Sequence, residues 1–473
     1  MGAYKKLGVN ILMFSISSFG TKVINFLLIP LYTSYLTTAQ YGTADMLFTI
    51  STILFPIFSV EITEGVMRYV LDKTYESQNV LLIAIRTILI GSVVLCISLL
   101  IVRVLNIINI PNHYYVFLFL NFLFSCFYNL FINYFKGKEK IHNIVIAGLL
   151  SSITNAVCNI LFLIRLDMGI EGYLFASILS LGISLIYLIG YSLHYGYLKI
   201  RTAKVDKTLE RKMLSYSAPL IINSLAWWIN NSLDKFFITL ICGMGANGIL
   251  AVAYKIPSLL SMLQTIFSQA WVLSAINEFD SDDKENFIGN VYSILGCALT
   301  LGTSVIIFLN IPMARILYAN DFFTAWKYTG MLVIANLFGG MSICISGVFS
   351  AVKDTKSLAK TTTMGAILNT GLNAILIPKF GIQGAVIATV ISNISVWAVR
   401  MFKARSYIKL RISIYRDIFS YLLILIQCIV GLLPNHMYFV QLLIIVILIM
   451  LYRNDIIRIY HFFVRRLKAL KVK

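Results

Sequence analysis

Three lysines lie inside stretches of sequence that are otherwise apolar, and their chemistry needs an explanation. Lys22, Lys235 and Lys255 each stand within a run long enough to form a membrane-spanning helix. A charge in the hydrocarbon core costs at least about 2.5–3.5 kcal/mol, so it usually faces a cavity or a transport pathway. The three cations therefore predict a cationic central cavity that binds an anionic group.

Two structural explanations compete with this cavity. Asp234 could form an ion pair between helices with Lys22 or Lys255, or Lys255 could extend its ammonium group to the membrane surface. Asp234 and Lys235 are neighbours that point about 100° apart on a helix, so they do not neutralise only each other.

Aromatic and amide side chains accompany the charges. Trp227 and Trp228 lie in the middle of an apolar segment and are followed by Asn230 and Asn231. Interfacial tryptophans belong at the ends of membrane spans, so this pair needs another explanation. Flat aromatic faces beside amides suit sugar rings, and they equally suit helix packing. We predict Trp228, Asn231 and Asn25 as substrate contacts.

Acidic residues mark the ends of the second apolar segment. Asp45 starts it, and Glu64 and Arg68 follow its end at the i, i+4 spacing that favours an ion pair. We predict a structural pair at the inner mouth and leave open a contact with a gate or a ligand. Together with Asp234, these residues are candidates for coupling or gating.

The composition requires helices in a membrane to position all these groups. The chain has 473 residues, of which 59 % are hydrophobic and 12 % charged, against about 25 % charged in soluble domains. About fourteen runs have the length of a spanning helix. We predict an all-α polytopic membrane protein with segments near 8–33, 43–62, 80–102, 114–135, 144–164, 171–194, 215–241, 247–272, 287–310, 327–350, 360–378, 382–402, 414–433 and 436–452.

The distribution of basic residues orients these segments. With the N-terminus inside and fourteen alternating spans, most of the 39 Lys and Arg residues fall on the cytoplasmic side, as the positive-inside rule requires. Both termini are therefore predicted to be cytoplasmic. The net charge of +19 follows from topology, and we predict no nucleic-acid partner.

The chain also contains an internal repeat. Three matched sets carry it: 169–172 with 381–384, Asn155 with Asn369, and Asn159 with Asn373. The copies are six segments apart, so they share one orientation. This predicts two six-helix halves related by a pseudo-two-fold axis along the membrane normal, with a substrate pathway between them.

The repeat sets the predicted domains. Residues 1–200 form the N-terminal half and 201–410 the C-terminal half. Two extra transmembrane helices occupy 411–452, and 453–473 is predicted as a basic amphipathic helix on the cytoplasmic leaflet.

Motifs for catalysis do not occur in the sequence. It contains no nucleotide-binding loop, no HExxH and no paired CxxC motifs. We therefore predict no enzyme activity, no catalytic residue, no metal and no cofactor.

Several short motifs carry a family resemblance. The first is the start of the chain over 10–46, with Phe19-Gly20-Thr21-Lys22, Ile29-Pro30-Leu31-Tyr32 and Tyr41-Gly42; the second is 230–235 with Gly248 and Ala253-Tyr254-Lys255-Ile256. Both resemble the bacterial polysaccharide and O-antigen flippases of the multidrug/oligosaccharidyl-lipid/polysaccharide exporter superfamily.

That resemblance implies a function and partners. The family moves a lipid-linked oligosaccharide on undecaprenyl pyrophosphate from the inner to the outer leaflet of the bacterial plasma membrane, for surface polysaccharide such as lipopolysaccharide O-antigen. It implies a V-shaped cavity, alternating access, a coupling ion such as Na⁺ or H⁺, membrane lipids and polysaccharide assembly proteins. The cations Lys22, Lys235 and Lys255 suit a pyrophosphate.

Two alternatives stay open. A multidrug or cation antiporter of the same superfamily would favour acidic cavity residues, which three intramembrane lysines oppose. A membrane glycosyltransferase or polymerase usually needs a large outer loop with catalytic residues, and the longest outer loop, near 311–326, has only Arg315 and Asp321.

Overall fold

Helices form all the regular structure in the part of the chain that the structure describes. This computed structural model covers residues 20–72, 74–107, 110–198, 206–277, 287–352, 354–408, 412–433 and 435–458. Packing divides the chain into two units, Met1–Leu233 and Asp234–Lys473. The predicted domain limits at 200, 410 and 452 stay predictions.

The described part of the first unit contains seven complete helices. A helical stretch over 20–27 precedes them. They are α1 (Ile29–Tyr35), α2 (Thr38–Ser59), α3 (Ile62–Leu71), α4 (Ser77–Val104), α5 (Asn112–Gly137), α6 (Ile141–Asn159), which continues as a π-helical turn over Ile160–Arg165, and α7 (Gly169–His194). The long helix α8 (Lys207–Cys242) starts in this unit and ends in the second.

The second unit continues with helices α9 to α16. They are α9 (Met244–Ala253), α10 (Pro257–Asn277), α11 (Phe287–Leu317), a 3-10 helix (Asn320–Ala325), α12 (Trp326–Ala351), α13 (Thr355–Phe380), α14 (Ile382–Ala404), α15 (Ile414–Leu432) and α16 (Tyr438–Leu451). The predicted all-α membrane fold is confirmed.

Judged by length and apolar composition, fewer helices of the structure qualify as membrane spans than the sequence predicts. Nine helices within the described ranges are long and apolar enough to cross a membrane, and the bent pair α9–α10 makes ten. Helices α8 and α13 match predicted segments but are too polar for the criterion, and α16 has only 14 residues. The count of fourteen stays a prediction. Residues 8–19 of the first segment and the tail after 458 lie outside the described residues.

Two helix pairs are interrupted within the membrane-spanning sequence. Between α2 and α3, Val60 and Glu61 both adopt left-handed backbone angles, with φ of 55° and 50°. Non-glycine residues adopt this conformation at a cost of about 1–2 kcal/mol each, so tertiary packing must impose it. Between α9 and α10 the axes bend by 54°, and Pro257 starts α10, where its missing N–H leaves no hydrogen bond unmade.

Glycines allow helices of the first unit to pack with their backbones in contact. A Cβ on Gly91 of α4 would lie 1.8 Å from the Phe58 carbonyl oxygen of α2. A Cβ on Gly65 of α3 would lie 2.6 Å from the Ser217 hydroxyl of α8. α2 therefore packs closely on α4 just before the α2–α3 break, and α3 packs closely on α8 just after it.

The two copies of the internal repeat contain equivalent hydrogen bonds between two asparagines. Asn159 donates from Nδ2 to Asn155 Oδ1 over 3.0 Å in the first unit. Asn373 donates in the same way to Asn369 Oδ1 over 2.9 Å in the second. Both donor residues are fully buried. The pairs are the ones that the sequence repeat aligns.

Candidate substrate-binding site

A cavity with a volume of about 480 Å³ lies within the first unit. Most of its lining side chains are amides or hydroxyls, four of them asparagines, and the described lining residues carry no formal charge. The volume falls in the range of about 300–1,000 Å³ typical of small-molecule sites. The asparagines are Asn25, Asn121, Asn129 and Asn155.

Helical spacing brings these polar groups to the cavity. On α5, Asn121, Ser125 and Asn129 follow one another at intervals of four residues, so they share one face of the helix. Helix α6 contributes Ser151, Ser152 and Asn155, and α7 contributes Ser177 and Ser180. Three neighbouring spans therefore turn polar faces toward one space.

Several hydroxyls at this cavity already donate to their own helices. Ser51 donates to the Leu47 carbonyl over 2.9 Å, and Ser177 donates to the Leu174 carbonyl over 2.7 Å. Thr52 and Ser180 make equivalent bonds. Each oxygen keeps its lone pairs, so these groups can accept hydrogen bonds from a bound molecule.

A buried carboxylate lies at the break between α2 and α3. Glu61 is 7 % exposed and accepts a hydrogen bond of 2.5 Å from the Ser224 hydroxyl of α8. The structure makes it the group that ties the broken helix to α8.

The predicted ion pair between Glu64 and Arg68 is replaced by another contact. Glu64 accepts from Asn133 Nδ2 of α5 over 3.2 Å, while Arg68 is exposed. The neutral amide lies on the buried side of α3, whereas the arginine one turn later faces outward.

Arg68 acts on a different carboxylate, Asp72, at the end of α3. Hydrogen bonds from Thr74 hold the pKa of Asp72 below its usual value, and Arg68 adds to that effect.

Asp45 lies one turn beyond a cluster of tyrosines in the first unit. The rings of Tyr32 and Tyr173 are 4.7 Å apart, and those of Tyr41 and Tyr173 are 5.9 Å apart. Asp45 is half-buried and close enough to Tyr41 and Tyr173 to act on both electrostatically. Its role in coupling or gating stays a prediction.

The second unit brings Asp234 to the bend between α9 and α10. Asp234 is 7 % exposed and accepts from the Tyr254 hydroxyl over 3.0 Å. Lys255, half-buried, is the next residue and lies in the non-helical stretch of the bend. Lys235 is half-buried on α8. Asp234 and Lys255 therefore lie at one interruption, and Tyr254, which was not among the predicted site residues, joins Asp234 to it.

Some of the remaining predicted substrate contacts bond to the protein itself, and others are exposed or line the cavity. Trp228 donates from Nε1 to the Thr49 carbonyl of α2 over 3.0 Å, which is a helix-packing contact. Asn231 donates back to the Trp227 carbonyl over 2.7 Å. Lys22 is exposed within the first unit, and Asn25 lines its cavity. A single site that joins Lys22 to Lys235 and Lys255 stays a prediction.

One arginine of the second unit is buried among hydroxyl groups. Arg400 of α14 is 8 % exposed and donates to the hydroxyls of Thr361, Thr362, Ser342 and Ser346 at 2.8–3.0 Å. Hydroxyls of α12 and α13 satisfy its donors. This cation therefore holds helices together within the second unit.

Sequence reasoning missed most of the neutral cavity. The available signal was the recurrence of amides and hydroxyls one helical turn apart in three consecutive spans, such as Asn121, Ser125 and Asn129. The predicted site consists mostly of charged residues, because a charge costs more in a membrane than a neutral polar group. Only Asn25 belongs to both the predicted site and this cavity.

Solved structures share the fold. A lipid II flippase, MurJ, in an inward closed conformation matches with a TM-score of 0.72 and 15 % identity, over 94 % of this chain and 99 % of that one. An inward-facing MATE-family multidrug resistance transporter of the MOP superfamily matches with a TM-score of 0.67 and 14 % identity, over 82 % and 94 %. The fold is therefore that of this class of membrane transporters.

The sequence comparison gives the family. A profile of the polysaccharide biosynthesis protein family matches residues 7–273, more than half of the chain. The chain belongs to the polysaccharide biosynthesis protein family, and the predicted resemblance is confirmed.

Two curated relatives match over part of their length. An uncharacterized membrane protein of Methanocaldococcus jannaschii is 26 % identical over 273 residues, which are 51 % of this chain and 60 % of that protein. A probable low-salt glycan biosynthesis flippase of Haloferax volcanii, Agl15, is 22 % identical over 210 residues, 42 % and 44 % of the two chains. The chain thus spans less than two thirds of the length of these relatives.

Proposed function

We propose that the protein is a flippase for a lipid-linked oligosaccharide. It carries a repeat unit on undecaprenyl pyrophosphate from the inner to the outer leaflet of a bacterial plasma membrane, for surface polysaccharide synthesis. The family match over 7–273, on a transporter fold, is the observation that carries this proposal. A relative described as a probable glycan biosynthesis flippase supports it.

In this proposal the lysines bind the charged part of the substrate. Lys22, Lys235 and Lys255 contact the pyrophosphate, because an ammonium group forms strong charge-assisted hydrogen bonds with phosphate oxygens. The half-buried position of Lys255 in the bend between α9 and α10 supports this role. A bend leaves backbone and side chain polar groups available where a straight helix would not.

Transport proceeds by alternating access, with a coupling ion such as Na⁺ or H⁺. Asp234, Asp45, Glu64 and Arg68 are the candidates for coupling or gating. The burial of Asp234 and its hydrogen bond to Tyr254 support the first of these, because a buried carboxylate at a helix interruption can exchange a cation or a proton. Both termini are cytoplasmic, and polysaccharide assembly proteins are the expected partners.

Deletion of the gene in its native host tests the proposal. Lipid extraction followed by mass spectrometry should show a complete oligosaccharide accumulated on undecaprenyl pyrophosphate, with surface polysaccharide lost. An unchanged lipid pool with normal surface polysaccharide would favour a multidrug or cation antiporter. A truncated glycan would favour a glycosyltransferase or a polymerase.

A further inference from the structure

The cavity of the first unit is lined by amide and hydroxyl side chains of low exposure. Asn121 is 6 % exposed and lines the cavity. Ser152, at 7 % exposure, lines it as well. An amide and a hydroxyl that line a cavity can each donate and accept hydrogen bonds with a molecule bound there.

The cavity favours a neutral occupant. No lysine, arginine, aspartate or glutamate is among its described lining residues. Among these described residues a phosphate or a carboxylate would find no cation, and a bare metal ion would find no carboxylate. The occupant must instead donate to the hydroxyls that already donate to their own helices, such as Ser51 and Ser177, and must exchange hydrogen bonds with Asn121.

Aromatic side chains in the lining narrow the chemical class of the occupant further. Phe48, Phe55 and Phe122 line the same cavity as the amides. An aromatic face carries partial negative charge and attracts the positive edges of C–H groups. A sugar ring combines C–H faces with hydroxyl edges, so it matches both parts of the lining. Water alone would form hydrogen bonds with the amides and hydroxyls but would not pack against the three phenyl rings.

We infer that the cavity of the first unit binds an uncharged sugar ring of the transported glycan. This inference rests on the proposed function and adds where the glycan is recognised. The charged pyrophosphate and the neutral sugar are then bound by different residues, so each can be disturbed without the other.

Two synthetic lipids separate the two interactions. The full chain in nanodiscs is tested for binding of undecaprenyl pyrophosphate with and without one N-acetylglucosamine. The sugar-bearing lipid should bind about tenfold more tightly, as one or two additional hydrogen bonds would give. Asn121→Ala and Ser152→Ala should each remove most of this difference and leave the affinity for the bare lipid unchanged.

Asn143→Ala is the matched control, because Asn143 is equally buried on α6 but accepts from the Tyr187 hydroxyl and does not line the cavity. Binding of the bare lipid by each variant shows that it is folded. Equal affinity of the unmodified protein for both lipids, or variants that keep the full difference, would overturn the inference alone. Failure to bind either lipid would overturn the proposed function, and the inference with it.

Discussion

At the scale of single residues, the surroundings of a buried polar group, and not its burial alone, separate a packing position from a candidate functional one. Asp234 and Arg400 are both nearly inaccessible. The hydroxyls around Arg400 all come from helices of the same unit, which indicates a structural role. Asp234 lies on α8 next to Lys235 and bonds to Tyr254 at a helix bend, and its role in transport stays a prediction.

Removal of one intramembrane cation should impair transport while the protein remains inserted. Lys22→Ala, Lys235→Ala or Lys255→Ala should each reduce the transport rate about tenfold or more, because a charge-assisted hydrogen bond contributes about 1.5–3 kcal/mol. Lysine-to-arginine variants should be milder. The rate is measured with labelled lipid-linked oligosaccharide in proteoliposomes.

Lys379→Ala is the control for these variants, since Lys379 is exposed at the end of α13. Full transport by all three alanine variants would contradict the cationic site.

The pH dependence of stability should reveal one carboxylate outside the membrane. Hydrogen bonds from Ser357 and Tyr407, with Lys403 nearby, lower the pKa of Asp354 to about 2. The unfolded value is about 3.9, so Asp354 stabilises the fold above about pH 4 and loses this effect as the pH falls toward 2. Asp354→Asn should therefore lower the thermal unfolding temperature at pH 6, and by less at pH 3. An equal difference at both pH values would be inconsistent with this assignment.

At the scale of helices, contacts with neighbouring helices hold the α2–α3 interruption in place. The α2–α3 break combines two left-handed residues with the carboxylate of Glu61 and the close packing of Gly91 on Phe58. Pro56 lies within α2, and the chain breaks at Val60 instead. Proline weakens the helix, but the neighbouring helices decide where it ends.

A methyl group at the tightest of these contacts should destabilise the protein. Gly91→Ala places a Cβ where the Phe58 carbonyl now lies, and overpacking of this kind costs about 1–3 kcal/mol. Gly190→Ala is the control, because nothing lies within 4 Å of its Cβ position; alanine there should be neutral or stabilising by about 0.5–1 kcal/mol. Thermal unfolding in detergent measures both. Similar unfolding temperatures for the two variants would show that α2 can move away from α4.

At the scale of the whole molecule, the basic residues predict which loops face the cytoplasm. Lys136, Lys138 and Lys140 lie at or just after the C-terminal end of α5, while Arg165 is the one Lys or Arg between the end of α6 and the start of α7. The asymmetry recurs along the chain, so one orientation satisfies most of the loops.

Labelling with a membrane-impermeant thiol reagent tests this orientation. In a variant without the native cysteines, a cysteine in place of Leu166 should react in intact cells. A cysteine in place of Lys138 should react only after the membrane is permeabilised. The converse pattern would invert the topology and the direction of the proposed transport.

The sequence determined the class of the fold, because apolar runs of spanning length and alternating basic loops leave few alternatives. It also determined the repeat, which the Asn155–Asn159 and Asn369–Asn373 pairs reproduce. Only the tertiary structure decided which polar groups meet. The partner of Glu64, the burial of Arg400 and the common cavity of α5, α6 and α7 depend on how helices rotate and pack against one another, and a one-dimensional pattern does not contain those rotations.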